Sequence, residues 1–195
     1  MHHHIALIGK SRSGKDTVAE ILTERASYTR LAFADRLKEA ALRANPWITY
    51  NDPPCGIGAM RLAEVVDRIG WERAKDEYPE VRRFLQDFGQ AMREIDDMVW
   101  VRPVADQVRQ GTRLNMPCVV SDVRYANEVT ELQALGAVTV RVTRPGAGLQ
   151  GDAGAHSSET ELDDMETDIT IDNNGTLAQL YATVASRLVP ALSER

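Results

Sequence analysis

Residues Ile5 to Thr17 read Ile-Ala-Leu-Ile-Gly-Lys-Ser-Arg-Ser-Gly-Lys-Asp-Thr, an apolar run followed by Gly9, Gly14 and Lys15 at phosphate-loop spacing. No other feature limits the fold as much. A short buried strand must end near Ile8, a glycine-rich turn must follow, and the turn must open a helix, which Val18-Ala19-Glu20-Ile21-Leu22 supplies. In such a turn the backbone of Gly9, Lys10, Ser11, Arg12, Ser13 and Gly14 wraps a phosphate, the next helix points its first amides at it, and Lys15 reaches the β and γ oxygens. The ligand class this implies is a nucleoside polyphosphate.

One position departs from the common loop. The residue after the lysine is normally Ser or Thr, whose hydroxyl meets Mg2+, and here it is Asp16, with Thr17 one place later. One step along a helix is a rotation of about 100°, so Thr17 is expected to point elsewhere. The Asp16 carboxylate can take the metal directly or through water, or it can only favour the first helical turn by its charge.

At 195 residues and 43% hydrophobic, the chain suffices for one full core, with room for a helical insertion. The formal charge of -6 argues against broad nucleic-acid binding and against polymeric substrates, while leaving room for a local basic pocket. Cys55 and Cys118 form neither a disulfide framework nor a zinc pattern, which fits a reducing cytoplasm. No apolar run approaches the ~18 residues of a membrane span, and no signal peptide precedes the loop strand. His2, His3 and His4 read as an exposed start or tag remnant rather than a metal cluster.

Beyond the loop helix, to about Ala26, Tyr28 to Phe33 reads as a second strand, with Asp35 placed to cap a helix from Arg36 to Arg43. Asn45-Pro46 stops that helix, and the segment through Asp52-Pro53-Pro54, Gly56 and Gly58 reads as loop. Met60 to Gly111 reads as helical. Leu62, Val65, Val66 and Ile69 form one apolar stripe, closed by Gly70, and Val81, Phe84, Leu85, Phe88 and Met92 form another. Gly89 inside the second stripe predicts a close neighbour, and a third helix is expected from near Pro103 to Gly111.

Strand and helix then alternate again, as in a parallel sheet: Cys118 to Ser121, a helix from Asn127 to Leu135, and Val138 to Thr143. Arg144-Pro145 leads into a glycine-rich segment, and Ser158 and Glu161 have capping-box spacing. Residues 144–160 are the expected lid. Asp168 to Ile171 is the last strand, Asn173-Asn174-Gly175 a turn, and Leu177, Leu180, Tyr181, Val184 and Leu188 the stripe of a closing helix.

Phosphoryl transfer needs cations at the transferring group, a metal and exclusion of water. Besides Lys15 and Arg12, candidate cations stand at element ends: Arg36 and Lys38 after the second strand, Arg124 after the Cys118 strand, and Arg144 after the next. In a parallel sheet those ends share the edge that carries the loop. Asp122 is placed to meet hydrated Mg2+ or accept a proton, or else to cap a turn and pair with Arg124. Gln86, Asp87, Gln90 and Arg93 offer a surface for a base edge and its phosphate, and they also suit a solvated helix face. His156 can contact phosphate or be a plain loop histidine. Asn173, Asn174 and Gly175 can both turn the chain and meet an adenine edge.

These stretches together resemble the bacteriophage-type deoxynucleoside monophosphate kinases and, more distantly, the phosphomevalonate kinases. The resemblance rests on Ser-Gly-Lys-Asp-Thr within Gly9 to Thr17, Phe33-Ala34-Asp35-Arg36-Leu37-Lys38, Leu85 to Arg93, Ser121-Asp122-Val123-Arg124, Thr143-Arg144-Pro145 and His156-Ser157-Ser158-Glu159. It implies a three-layer α/β nucleoside-monophosphate-kinase fold as a single domain over residues 1–195, with a helical acceptor-binding region at about 45–111 and the lid. It also implies transfer of the ATP γ-phosphate to a deoxynucleoside 5'-monophosphate with Mg2+. In that picture Lys15 and Arg144 stabilise the transferring phosphate, Asp16 serves the metal, with Asp122 as the second candidate ligand from its place after the Cys118 strand, and Arg36, Lys38, Arg93 and Arg124 hold the acceptor. Phe33, Asp35, Gln86, Asp87, Gln90, Asp122 and His156 complete the acceptor set. The residues alone leave open a kinase of another phosphorylated acceptor, such as phosphomevalonate or dephospho-coenzyme A, and a noncatalytic nucleotide switch. A homodimer is compatible with the chain.

Overall fold

The computed structural model describes residues 3–52, 56–148, 154 and 157–190. The chain divides into two units, residues 1–33 with 101–195, and residues 34–100.

The first unit is built on a five-stranded sheet: β1 (Ile5–Ile8), β2 (Thr29–Leu31), β5 (Cys118–Val123), β6 (Val138–Thr143) and β7 (Ile169–Asp172), in the order β2-β5-β1-β6-β7. Every neighbouring pair is parallel. Parallel strands are covered on both faces, so they run apolar without alternation. All of β1 is buried, as are Cys118, Val119 and Val120 of β5 and Val138, Val140 and Val142 of β6. The flanking helices are α1 (Lys15–Ala26), α5 (Val101–Arg113), α6 (Ala126–Ala134), the short α7 (Ser157–Thr160) and α8 (Leu177–Thr183), which runs on into a wider π turn over Val184–Leu188. Val101, Val104, Ala105 and Val108 of α5 are buried at helical spacing, and Val18, Ala19, Ile21 and Leu22 do the same for α1. The closing stripe holds at Leu180, Val184 and Leu188, but Leu177 is 59% exposed because it stands in the first turn, outside the packed face.

His4 corrects the reading of the histidine run as an exposed start. It is 7% exposed, its Nδ1 accepts the Cys118 N–H at 3.0 Å, and its Nε2 lies 2.8 Å from Thr112 Oγ1. Accepting at Nδ1 leaves the proton on Nε2, which donates to Thr112, whose hydroxyl donates in turn to Val108 O at 3.1 Å. His4 thus ties the start of β1 to β5 and α5. His2 lies outside the described residues.

The second unit comprises most of α2 (Phe33–Ala44), the antiparallel hairpin β3 (Trp47–Asp52) and β4 (Gly56–Arg61), α3 (Leu62–Glu77) and α4 (Pro79–Ile95). The expected loop is therefore a hairpin. Ile48 is buried while Trp47 and Thr49 face outward, and Pro53, Pro54 and Cys55 lie outside the described residues. Helix α3 breaks at Gly70, where the backbone turns to φ 74° and ψ 165°. Ala41, Ile48, Leu62, Val65, Ala74, Val81 and Leu85 form the core of this unit. Gly89 has the predicted close neighbour: an added Cβ would stand 3.2 Å from the Leu37 side chain, and Trp100 Nε1 donates to Gly89 O at 3.2 Å. Among the described residues no helix is long and apolar enough to cross a membrane.

Burial holds the His4 pKa below its usual value, helped by His3. The unfolded chain therefore takes up the proton first, at about 6.5, and the stability that His4 contributes is present above that pH and lost as pH falls below it. Melting temperatures of wild type and His4→Ala between pH 8 and 5 should converge on acidification. At neutral pH the variant should lose about 1–3 kcal/mol, the scale of orphaned buried hydrogen-bonding groups.

Candidate active site

The phosphate loop is held by backbone conformations that only glycine tolerates. Gly9 leaves β1 at φ 148°, where an added Cβ would lie 2.3 Å from Val142 O, and Gly14 stands at φ 104°, where one would lie 2.4 Å from Asn173 Nδ2. Between them Arg12 takes a left-handed φ of 64°, and Ser13 N–H donates to Lys10 O at 3.2 Å. Gly14 brings no side-chain cap to α1, so the first amides of that helix keep their donors for an anion. Ser13 Oγ is buried without a hydrogen-bond partner, an orphan that a phosphate oxygen satisfies.

Lys15 is 6% exposed and donates to the loop's own carbonyls, Gly9 O at 2.7 Å and Lys10 O at 2.8 Å. Its pKa is lowered to about 8, first by burial and then by the Arg124 charge, against the opposing pull of Glu159, Asp16 and Asp122. Asp16 is exposed and pairs with Arg30 at 3.1 Å, a surface contact worth at most about 1 kcal/mol. Its carboxylate is thus lightly held.

Asp122 has a structural task through one of its oxygens. Its Oδ1 accepts the Phe33 N–H at 2.9 Å, so it caps the start of α2, the task the sequence reading gave to Asp35. Asp35 lies inside the first turn, 4.0 Å from Lys38. Arg124 is positioned from behind: Glu128, 1% exposed, accepts the Arg124 N–H at 2.8 Å and the Tyr125 N–H at 3.2 Å. The Arg124 guanidinium donates to Ser158 O at 3.0 Å and to the Glu159 carboxylate, which also accepts the Ser11 N–H at 3.0 Å. A cavity of about 320 Å3 opens here, lined by Gly9, Lys10, Ser13, Arg124, Arg144 and Glu159 among others. Arg144 is exposed at its rim.

Asn173 braces the loop. Its Nδ2 donates to Ser13 O at 2.9 Å, its backbone N–H to Thr143 O at 2.8 Å, and it is 6% exposed, so its carboxamide donor is directed inward to the loop. Asn174 is exposed, and Gly175 lies tight against Gln179 in the turn that opens α8. Glu161, which the spacing pairs with Ser158 in a capping box, accepts the Ala126 N–H at 2.8 Å and caps α6. Of the expected lid, Leu149 to Ala153, Ala155 and His156 lie outside the described residues. Glu128 and Arg141 escaped the sequence reading, and Glu159 entered it only within the stretch His156 to Glu159, without a role. Arg141 donates to Leu162 O at 2.8 Å and Met165 O at 2.5 Å, partners that spacing along the chain does not reveal.

The other acceptor candidates belong to the second unit, apart from Phe33, whose ring is buried at 4% exposure. Arg36 pairs with Glu39 at 2.9 Å, and Lys38 Nζ lies 5.9 Å from the centre of the Trp71 ring. Gln86, Gln90 and Arg93 share one half-buried face of α4, where Gln90 Oε1 is buried without a hydrogen-bond partner, while Asp87 is exposed. Phe88 stacks on Phe84 at 5.4 Å and meets Trp100 edge-on, which makes it a packing residue.

A parallel sheet whose central strand feeds a glycine-clamped loop, with a lysine and two arginines at neighbouring strand ends, defines a P-loop kinase. Solved structures agree on the fold: a dephospho-coenzyme A kinase from Campylobacter jejuni superposes with TM-score 0.55 at 12% identity, over 99% of this chain and 98% of that one. A sugar kinase from Janibacter does so with TM-score 0.53 at 14% identity, over 98% of each. Residues 57–184 match the deoxynucleotide monophosphate kinase family, and the chain belongs to it. A protein of Acanthamoeba polyphaga mimivirus named as a deoxynucleotide monophosphate kinase is 27% identical over 93% of this chain and 94% of its own length. The deoxynucleotide monophosphate kinase of phage T4 is 28% identical over 66% of this chain and 51% of its own length, so the match spans about half of that enzyme.

Because Lys15 is deprotonated above about pH 8, polyphosphate binding should weaken as pH rises through that value and should take up a proton there. Calorimetry with ATP in buffers of different ionisation enthalpy should show the uptake in wild type, and its loss in Lys15→Met.

Proposed function

We infer that the chain transfers the terminal phosphate of ATP to deoxynucleoside 5'-monophosphates, giving the diphosphates and ADP. The family supports the acceptor class, and the observation that carries the donor half is the loop itself: a glycine-clamped turn that lines a cavity with Gly9, Lys10 and the orphan Ser13 hydroxyl, and that leads into the buried Lys15 and a helix start with no side-chain cap. Transfer through a loose transition state spreads charge over the moving phosphoryl oxygens, so the protein acts by position and electrostatics. Lys15 leaves its carbonyl partners to meet that charge, Arg144 adds a second cation from the cavity rim, and Arg124 holds the acceptor phosphate. Arg36, Lys38, Gln86, Asp87, Gln90 and Arg93 are the proposed acceptor-recognition residues of the second unit, with Gln90 Oε1 as a buried acceptor for a base edge. The cytoplasm, where ATP and nucleotides meet, is the proposed location.

The family implies Mg2+, which binds one or two carboxylates together with substrate phosphates and water. Among the described residues no three His, Cys, Asp or Glu side chains gather as a preformed metal cage. The lightly held Asp16 and the nearby Asp122 both act on the Lys15 charge and offer hard oxygens of the required kind. They would hold the ion, which when bound neutralises phosphate charge.

Steady-state kinetics on dAMP, dGMP, dCMP, dTMP, their ribose forms, mevalonate 5-phosphate and dephospho-coenzyme A test the reading. More than one deoxynucleotide should be phosphorylated and neither of the last two should be. A non-nucleotide acceptor outperforming every nucleotide would overturn it. Arg124→Ala should chiefly raise the acceptor KM, since that contact exists in both ground and transition states, while Arg144→Ala should chiefly lower kcat, by about 10²-fold or more.

A further inference from the structure

Glu159 places negative oxygen on three groups that suit a phosphate. Its carboxylate accepts the Ser11 amide of the loop at 3.0 Å and is ion-paired with Arg124, its side chain only 2% exposed. Its backbone carbonyl accepts from Lys10 Nζ at 2.5 Å, and Asp163 takes the same ammonium at 2.5 Å. Loop amide, arginine and lysine are the donors from which phosphate sites are made, and Lys10 and Arg124 line the cavity at the loop mouth. Among the described residues the carboxylate caps no helix, and Glu161, two residues on, performs that task for α6.

The Ser11 amide carries a single hydrogen. A phosphate oxygen and the Glu159 carboxylate cannot both accept it without bringing two anionic oxygens to about 3 Å of one another, a geometry that like charge opposes. Arg124 is engaged through Nη1 by the same two-residue stretch, Ser158 and Glu159.

We propose that Glu159 is an internal competitor for phosphoryl groups, holding the Ser11 amide against a polyphosphate and Arg124 against the phosphate beside it, and so setting how tightly the loop takes a polyphosphate. The proposal rests on the loop as a phosphate site and not on the identity of the acceptor. Displacement needs only a local swing, because the chain beyond Glu159 stays anchored where Arg141 holds the carbonyls of Leu162 and Met165. Apparent affinity falls by the fraction of molecules in which the donors are available, so an internal contact kept about nine-tenths of the time weakens binding about tenfold.

The test is calorimetric titration of the full chain with inorganic pyrophosphate, in one buffer and salt, for wild type, Glu159→Gln and Glu159→Asp. Gln keeps the shape without the charge, and Asp keeps the charge but falls one methylene short. Both should bind pyrophosphate about tenfold more tightly than wild type, and if the Gln variant does not fold, the Asp variant carries the measurement. An unchanged or raised Kd overturns the proposal and makes Glu159 a residue that positions Arg124 for phosphate. No acceptor takes part in the titration, so tighter binding with no turnover on any deoxynucleotide would sink the kinase reading alone, and an unchanged Kd with normal turnover would sink this one alone.

Discussion

A phosphate loop is a turn that must keep several backbone amides unpaired and pointed the same way, which isolated chain does not do. The structure enforces it by close approach. Gly9 comes so near to Val142 O, and Gly14 so near to Asn173, that no side chain fits at either position, and the Asn173 carboxamide pins Ser13 O between them. β6 and the residue following β7 thereby set the curvature of a loop that follows β1. Closing those gaps orders the ligand site in advance, so nucleotide binding does not have to supply that ordering.

Charge is the second constraint. Lys15 lies buried and feels the Arg124 charge, so the two cations repel. The fold answers with carboxylates in direct contact around the site: Glu159 on Arg124, Asp163 on Lys10, Asp16 on Arg30 and Asp122 on the α2 start. A net charge of -6 and a cationic pocket are therefore compatible, because the acids stand around the cations instead of diluting them over the surface.

Much of the first unit was legible from sequence because its signals are local. The loop spacing located the end of β1 and the start of α1, and the apolar runs at Cys118 and Val138 located β5 and β6; in the second unit Gly89 announced a tight contact that Leu37 and Trp100 supply. The misses share one cause, namely that their meaning depends on a partner far along the chain. The β3–β4 hairpin was read as loop because prolines and glycines suit a turn as well as a loop, and only pairing across it reveals strands. Asp35 was chosen to cap α2 on adjacency alone, whereas Asp122 reaches Phe33 across 89 residues. The same holds for His4 with Cys118 and for Glu159 with Ser11.

The strand order has a consequence for how such a site can change over time. Arg124 and Arg144 follow β5 and β6, the two strands that flank β1, so the loop lies between two cations carried on the lattice of a hydrogen-bonded sheet. Adjacent strands lie about 4.8 Å apart whatever their side chains, which puts the two backbone positions roughly 10 Å from one another by the geometry of the peptide group alone. Mutation can delete or reverse either charge, but it cannot alter that interval without dismantling the sheet. The sheet works as a ruler, with its graduations written in main chain.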